Sequence, residues 1–191
     1  MYYGVGETIK NIVSFFYTKI FWKNSRLVRR PIHVRGKRNI SYGKGLTIGY
    51  WGRISVSGKL IIGDSVTIGD FVQIEAHSKI EIGKNVLIAS RVFISDTNHG
   101  DYSGKNQSDI YEAPNVRKLS CKEVSIGDNV WIGENVCILP GVSIGEGSII
   151  GSNAVVTKSF PSGVILGGVP AKCLKKYNRM TKRWESVCEQ K

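Results

Sequence analysis

The stretch Ile126-Gly127-Asp128-Asn129-Val130-Trp131-Ile132-Gly133-Glu134-Asn135-Val136-Cys137-Ile138 repeats itself after six residues. An isoleucine stands at 126, 132 and 138, and a valine precedes each of the last two by two places. The same spacing extends in both directions, through Ile48, Ile54; Ile62, Ile68, Ile74; Ile82, Ile88, Ile94; and Ile144, Ile150, Val156. Eight of these fourteen aliphatic positions are followed by glycine, where 22 glycines in 191 residues would give fewer than two by composition alone. A helix repeats every 3.6 residues, and a hairpin meander shows turn signals every 8–12, so neither explains a strict period of six. The period fits a chain that turns a corner every six residues and closes a triangular coil every eighteen. Equivalent isoleucines then stack about 4.8 Å apart, the ordinary spacing of paired strands. Each buried aliphatic side chain contributes roughly 1.5–3 kcal/mol, so the inner stack can hold such a prism together. Glycine after the corner is expected to supply backbone angles that other residues avoid.

The steps between coils place the exceptions. Ile54 to Ile62 and Ile74 to Ile82 are eight apart, a two-residue expansion at one corner of two successive coils. The pattern stops at about Asp96 and resumes in phase at Ile126, so a long loop over about 96–123 leaves the solenoid without ending it, a frequent location for function. The expected fold is an all-β solenoid, a parallel β-helix of about five coils over 34–157. A helical cap segment is expected over 1–33 and a C-terminal strand and basic helix over 158–191.

Composition narrows the partners. The net charge is +12, and the basic residues crowd the two ends, Lys10 to Lys44 and Lys158 to Lys191. A polyphosphate ligand or an anionic membrane fits this better than single-stranded nucleic acid, because no platform interleaves aromatic with basic residues. Cys121, Cys137, Cys173 and Cys188 show no metal-type spacing and read as reduced thiols of a cytoplasmic protein, two of them packed as small hydrophobes. No secretory signal is visible, and the apolar run Ile12 to Trp22 is half the length needed to cross a bilayer. Residues 9–23 nevertheless set Ile9, Ile12, Val13, Phe16 and Ile20 at helical spacing among Lys10, Lys19 and Lys23. This is either a helix lying on an anionic membrane or a cap over the open end of the solenoid.

The runs Ile82-Gly83-Lys84-Asn85-Val86-Leu87-Ile88-Ala89-Ser90, Ser95-Asp96-Thr97-Asn98-His99-Gly100, Ile126 to Val136, and Gly167-Gly168-Val169-Pro170-Ala171-Lys172 resemble the hexapeptide-repeat acetyltransferases. The likeness is greatest to the branch that O-acetylates lipopolysaccharide O-antigen and related surface polysaccharides. It covers residues 40 to 178 and implies a left-handed coil, an exception to the usual crossover rule. It also implies a homotrimer with active sites between subunits, acetyl-CoA as co-substrate, a carbohydrate acceptor and no metal.

Acetyl transfer from a thioester to a hydroxyl needs a base, oxyanion donors and a place where both substrates meet. Imidazole is the natural base near neutral pH, and there are three. His33 lies in the basic N-terminal region and His77 on a coil. His99 opens the long loop and aligns with the catalytic histidine of the family's Asn-His motif. Asp96, or a backbone carbonyl, is the candidate to orient that ring; Asn98 either contacts substrate or shapes the turn; His77 lies where it could line the acceptor site. By the resemblance Trp131 lines the site, though packing of a subunit contact would equally account for it. Gly133-Glu134 and Gly151-Ser152, eighteen apart, are the corners along which the family lays the pantetheine arm. Thr157, Lys158, Lys172 and Lys175 match positions that hold the nucleotide end, and otherwise form a solvated basic tail. Direct attack on acetyl-CoA is expected, since no motif supplies Cys121 with a neighbouring base.

Two rival readings share the composition. A carbonic anhydrase on the same prism needs three converging histidines, of which only His77 and His99 are near. A non-catalytic basic binding module would use the charge alone.

Overall fold

The structure is a computed structural model that describes residues 4–103 and 105–187; Cys188 therefore lies outside the described residues. Three parallel sheets form the sides of a prism, with rungs supplied in strict rotation. Face A holds Leu27–Val28, Thr47–Ile48, Thr67–Ile68, Leu87–Ile88, Trp131–Ile132, Ile149–Ile150 and Val164–Gly167. Face B runs from His33–Arg35 through Arg53–Val56, Gln73–Ala76, Phe93–Ser95 and Cys137–Ile138 to Val155–Val156. Face C runs from Ile40–Tyr42 through Lys59–Ile62, Lys79–Ile82 and Val124–Ile126 to Ser143–Ile144, which Phe160 then bridges. The stacked rungs match the expected parallel solenoid and its coil count.

The period-six residues are the interior. Ile48, Ile68, Ile88, Ile132 and Ile150 stand in register on face A. Ile54, Ile74, Ile94, Ile138 and Val156 do so on face B, and Ile62, Ile82, Ile126 and Ile144 on face C. All are buried. The expected reason for the glycines needs correction. The left-handed residues fall three places after most of these isoleucines, at Asn85, Asn129, Asn135 and Asn153 among others, but not after Ile54, Ile74 or Ile94. The glycine directly after the isoleucine is needed for close approach instead: a Cβ on Gly133 would sit 2.7 Å from the Ser152 nitrogen of the next coil.

Each end of a β-helix exposes a strand edge whose backbone groups need partners. At the N-terminal end the helix Val5–Phe21 supplies them with hydroxyls. Thr18 Oγ1 accepts from Val28 N at 2.8 Å, and Ser14 Oγ accepts from Arg30 N at 3.0 Å. The first rung is Leu27–Val28, so coiling starts before residue 34. It does so without the isoleucine-glycine signature, which is why the repeat alone did not find it.

The C-terminal end corrects the expectation of a helix. Lys172–Asn178 and Arg183–Ser186 form an antiparallel pair added to Val164–Gly167 on face A. A helix spends its backbone groups internally and cannot pair an open strand edge, whereas this hairpin does. Asn178 Oδ1 accepts from Met180 N and Thr181 N to form its turn, and Tyr177 and Trp184 pack edge to face across it.

Candidate active site

The long loop leaves the prism at the corner between faces B and C. It starts and ends as a two-stranded antiparallel ribbon, Thr97–His99 against Leu119–Cys121, with His99 opposite Leu119 and Thr97 opposite Cys121. Residues directly opposite share one side of a ribbon, so His99, Leu119, Thr97 and Cys121 face one way, and Asn98 and Ser120 the other. His99 is exposed, and among the described residues no hydrogen bond engages its imidazole. Its backbone is held firmly: Tyr102 OH donates to the His99 carbonyl, and Arg117 Nη1 donates to Tyr102 OH at 2.7 Å. Arg117 is itself fixed on the Glu112 carbonyl at 2.9 Å. Neither Tyr102 nor Arg117 carries a periodic or motif signal, so the sequence offered no way to find them. A cavity of about 410 Å³ opens beside the ribbon, lined by Asp101, Asn106, Gln107, Ser108, Lys118 and Leu119, among others.

Asp96 serves a geometry other than the orienting one expected of it. It is fully buried, and its two carboxylate oxygens accept from His77 N at 2.8 Å and Ser78 N at 2.7 Å. One coil earlier, the equivalent groups of Ser57 and Gly58 are accepted by the Ala76 carbonyl. Where the chain departs into the loop that next turn is missing, and the carboxylate replaces it. Asp96 O also accepts from Lys122 N at 2.8 Å, tying the returning strand to the departing one. Both oxygens are engaged at the loop root by these two backbone N–H groups.

His77 lies one coil before the loop, half-buried, with Nδ1 3.1 Å from Ser57 Oγ. Asn98 is exposed on the side of the ribbon away from His99. Cys121 shares the side of His99, but its Sγ lies against Thr97 Oγ1 at 3.0 Å. Cys137 is half-buried, which pushes its thiol pKa up, and Cys173 packs on the core. Among the described residues no group of three His, Cys, Asp or Glu side chains stands close enough to hold a metal ion.

Trp131 is half-exposed on face A. In a triangular prism face A lies opposite the corner between B and C, so one chain does not bring Trp131 to His99. A site containing both needs a second prism alongside.

The corners Gly133-Glu134 and Gly151-Ser152 stack on one edge between faces A and B. Their glycine N–H groups donate to Ile150 O and Leu166 O at 2.8 Å, so neither is available to a ligand. Glu134 is exposed and 3.8 Å from Arg91 Nη1, a surface pair of small energetic weight. Thr157 and Lys158 are exposed at the end of face B. The turn before Lys172 docks there, since Ala171 N donates to Val155 O at 2.8 Å; Lys175 follows on the added strand. The lysines therefore gather at the C-terminal end of the prism, where a polyphosphate would find a basic rim.

Comparison with known proteins agrees with this architecture. The model of the bacterial transferase hexapeptide family (six repeats) matches residues 123–158. An Escherichia coli (strain K12) protein, WbbJ, provisionally named a lipopolysaccharide biosynthesis O-acetyl transferase, is 40% identical over 97% of this chain and 96% of its own. A mutant of AntD, an N-acyltransferase from Bacillus cereus solved with dTDP-4-amino-4,6-dideoxyglucose and coenzyme A, superimposes with a TM-score of 0.70 at 25% identity, covering 87% of this chain and 90% of that one. The polySia specific acetyltransferase NeuO gives a TM-score of 0.58 at 29% identity over 80% of this chain and 60% of its own. The chain belongs to the hexapeptide-repeat acyltransferases, with the left-handed parallel β-helix of that family.

Proposed function

We propose that this protein transfers acetyl from acetyl-CoA to a sugar hydroxyl of a surface polysaccharide or its lipid-linked repeat unit, with His99 as general base. The observation that carries the proposal is the exposed His99 imidazole at the root of the loop. Its main chain is clamped by Tyr102 and Arg117, while its ring is left to substrate. The hydroxyl attacks the thioester carbonyl as His99 takes its proton. The tetrahedral intermediate then collapses and expels the CoA thiolate, to which the imidazolium returns the proton. The opposition of Trp131 and His99 within one chain supports a homotrimer with sites between neighbouring prisms. Acetyl-CoA is held in the cytoplasm, and a lipid-linked acceptor would be met at the cytoplasmic face of the inner membrane.

A second reading is N-acylation of an amino sugar, favoured by the likeness to AntD and its amino-sugar nucleotide. Identity of 40% with an O-acetyl transferase favours the hydroxyl.

Release of free thiol from acetyl-CoA, followed across matched hydroxyl and amino acceptors, decides between them. With the preferred acceptor, His99→Ala should lose at least about two orders of magnitude in kcat, the usual scale of general-base removal. A variant that turns over normally with its fold intact removes His99 from the mechanism.

A further inference from the structure

We infer that the N-terminal helix Val5–Phe21 is an in-plane anchor that seats the protein on an anionic phospholipid surface. The helix is turned inside out relative to an ordinary surface helix. Its buried positions are the polar Ser14 and Thr18, whereas Val5, Ile9, Ile12, Phe16 and Ile20 form a stripe on the opposite side, each at least 52% exposed.

The direction of that stripe follows from the strand edge. Leu27 N and Arg29 N donate to the following coil, at Leu46 O and Ile48 O. The alternate groups of the same strand, Val28 N and Arg30 N, therefore point the other way, out of the N-terminal end of the prism. Those are the groups that Thr18 and Ser14 cap. The helix thus lies across the end of the solenoid with its hydroxyls inward and its apolar stripe facing away. The two readings left open by the sequence, cap and membrane contact, describe opposite sides of one helix.

Charge selects the occupant. Residues 1–38 contain nine Lys and Arg against the single acid Glu7, so a large share of the net charge of +12 surrounds this face. Lys19 lies over the Phe15 ring and Arg30 over the Tyr17 ring, cations set against the aromatic side chains of the helix. An apolar stripe edged by lysines and rich in phenylalanine suits the boundary between headgroups and acyl chains. Basic residues beside it gain from anionic lipid. A second copy docked on the stripe would bring two such basic ends together, which like-charge repulsion opposes. Among the described residues no helix is long and apolar enough to cross a membrane, so the mode of contact is lying on the surface.

The test is sedimentation of the full chain with vesicles of phosphatidylglycerol and phosphatidylethanolamine, and with phosphatidylcholine vesicles. The protein should bind the anionic vesicles at least tenfold more strongly, and raised salt should weaken that binding. The double variant Ile12→Asp/Phe16→Asp should lose at least tenfold in vesicle affinity while keeping its oligomeric state by light scattering. Wild-type protein that stays in the supernatant with both vesicles overturns the inference, as does a double variant that sediments like wild type. A variant that dissociates into smaller species assigns the stripe to a contact between copies and equally overturns it. The inference does not depend on the chemistry at His99. Wild-type rates of acetylation of a soluble acceptor by the double variant, with vesicle binding lost, separate the two.

Discussion

The Asp96 carboxylate accepts the backbone N–H of His77 at 2.8 Å, across the gap where the chain leaves the solenoid. With Ser78 N on its other oxygen, it completes a turn that the departing loop leaves without a carbonyl partner. Less buried corner aspartates perform a lesser version of this task. Asp64, Asp70 and Asp128 each accept one N–H from the preceding coil, at Lys44, Tyr50 and Lys84. Asp96 differs in being fully buried and in holding two.

Asp96→Ala should therefore destabilise the protein by about 3–5 kcal/mol, since two charge-assisted hydrogen bonds are lost and two N–H groups are left unpaired. Asp96→Asn should cost less, because one amide oxygen can still accept. Denaturant unfolding measures both. An alanine variant as stable as wild type would show that water replaces the carboxylate without loss.

Tyr102→Phe removes the hydroxyl between Arg117 and the His99 carbonyl. The expected result is a fall in kcat of about fivefold, equivalent to one hydrogen bond of about 1 kcal/mol, with KM for acetyl-CoA unchanged. Steady-state kinetics with melting as a control separates positioning from stability: a shifted Tm with unchanged kcat would assign the tyrosine to loop packing alone.

Gly133→Ala places a Cβ 2.7 Å from Ser152 N and 2.8 Å from Ile150 O. Coils at strand spacing cannot separate locally without breaking rungs, so the substitution should cost about 1–3 kcal/mol. A calorimetric scan reads it, and an unchanged Tm would show that the edge yields.

Asp101 accepts from Ser103 N at 3.0 Å and Ser103 Oγ at 2.9 Å, and these bonds hold its carboxyl below the usual carboxylate range. A carboxyl with a lowered folded pKa stabilises the turn at neutral pH. That contribution disappears as pH falls through the depressed value. Amide exchange at Ser103 should lose protection over that acid range in wild type, while Asp101→Asn shows no such pH-dependent step.

The six-residue period alone determined the rungs from Ile48 to Val156, because each isoleucine meets the same inward direction whatever its neighbours do. The position of His99 at the loop root was legible for a related reason: it stands where that period breaks. Tertiary structure decided everything that depends on unpaired backbone. Only stacked coils reveal that Val28 and Arg30 need the hydroxyls of Thr18 and Ser14, which turns the apolar side of the helix outward. They also reveal that Val164–Gly167 needs a strand rather than a helix, and that the turn at His77 needs the carboxylate of Asp96. Hydrophobic patterning records which side chains avoid water. It carries no record of which N–H and carbonyl groups the finished stack leaves without a partner.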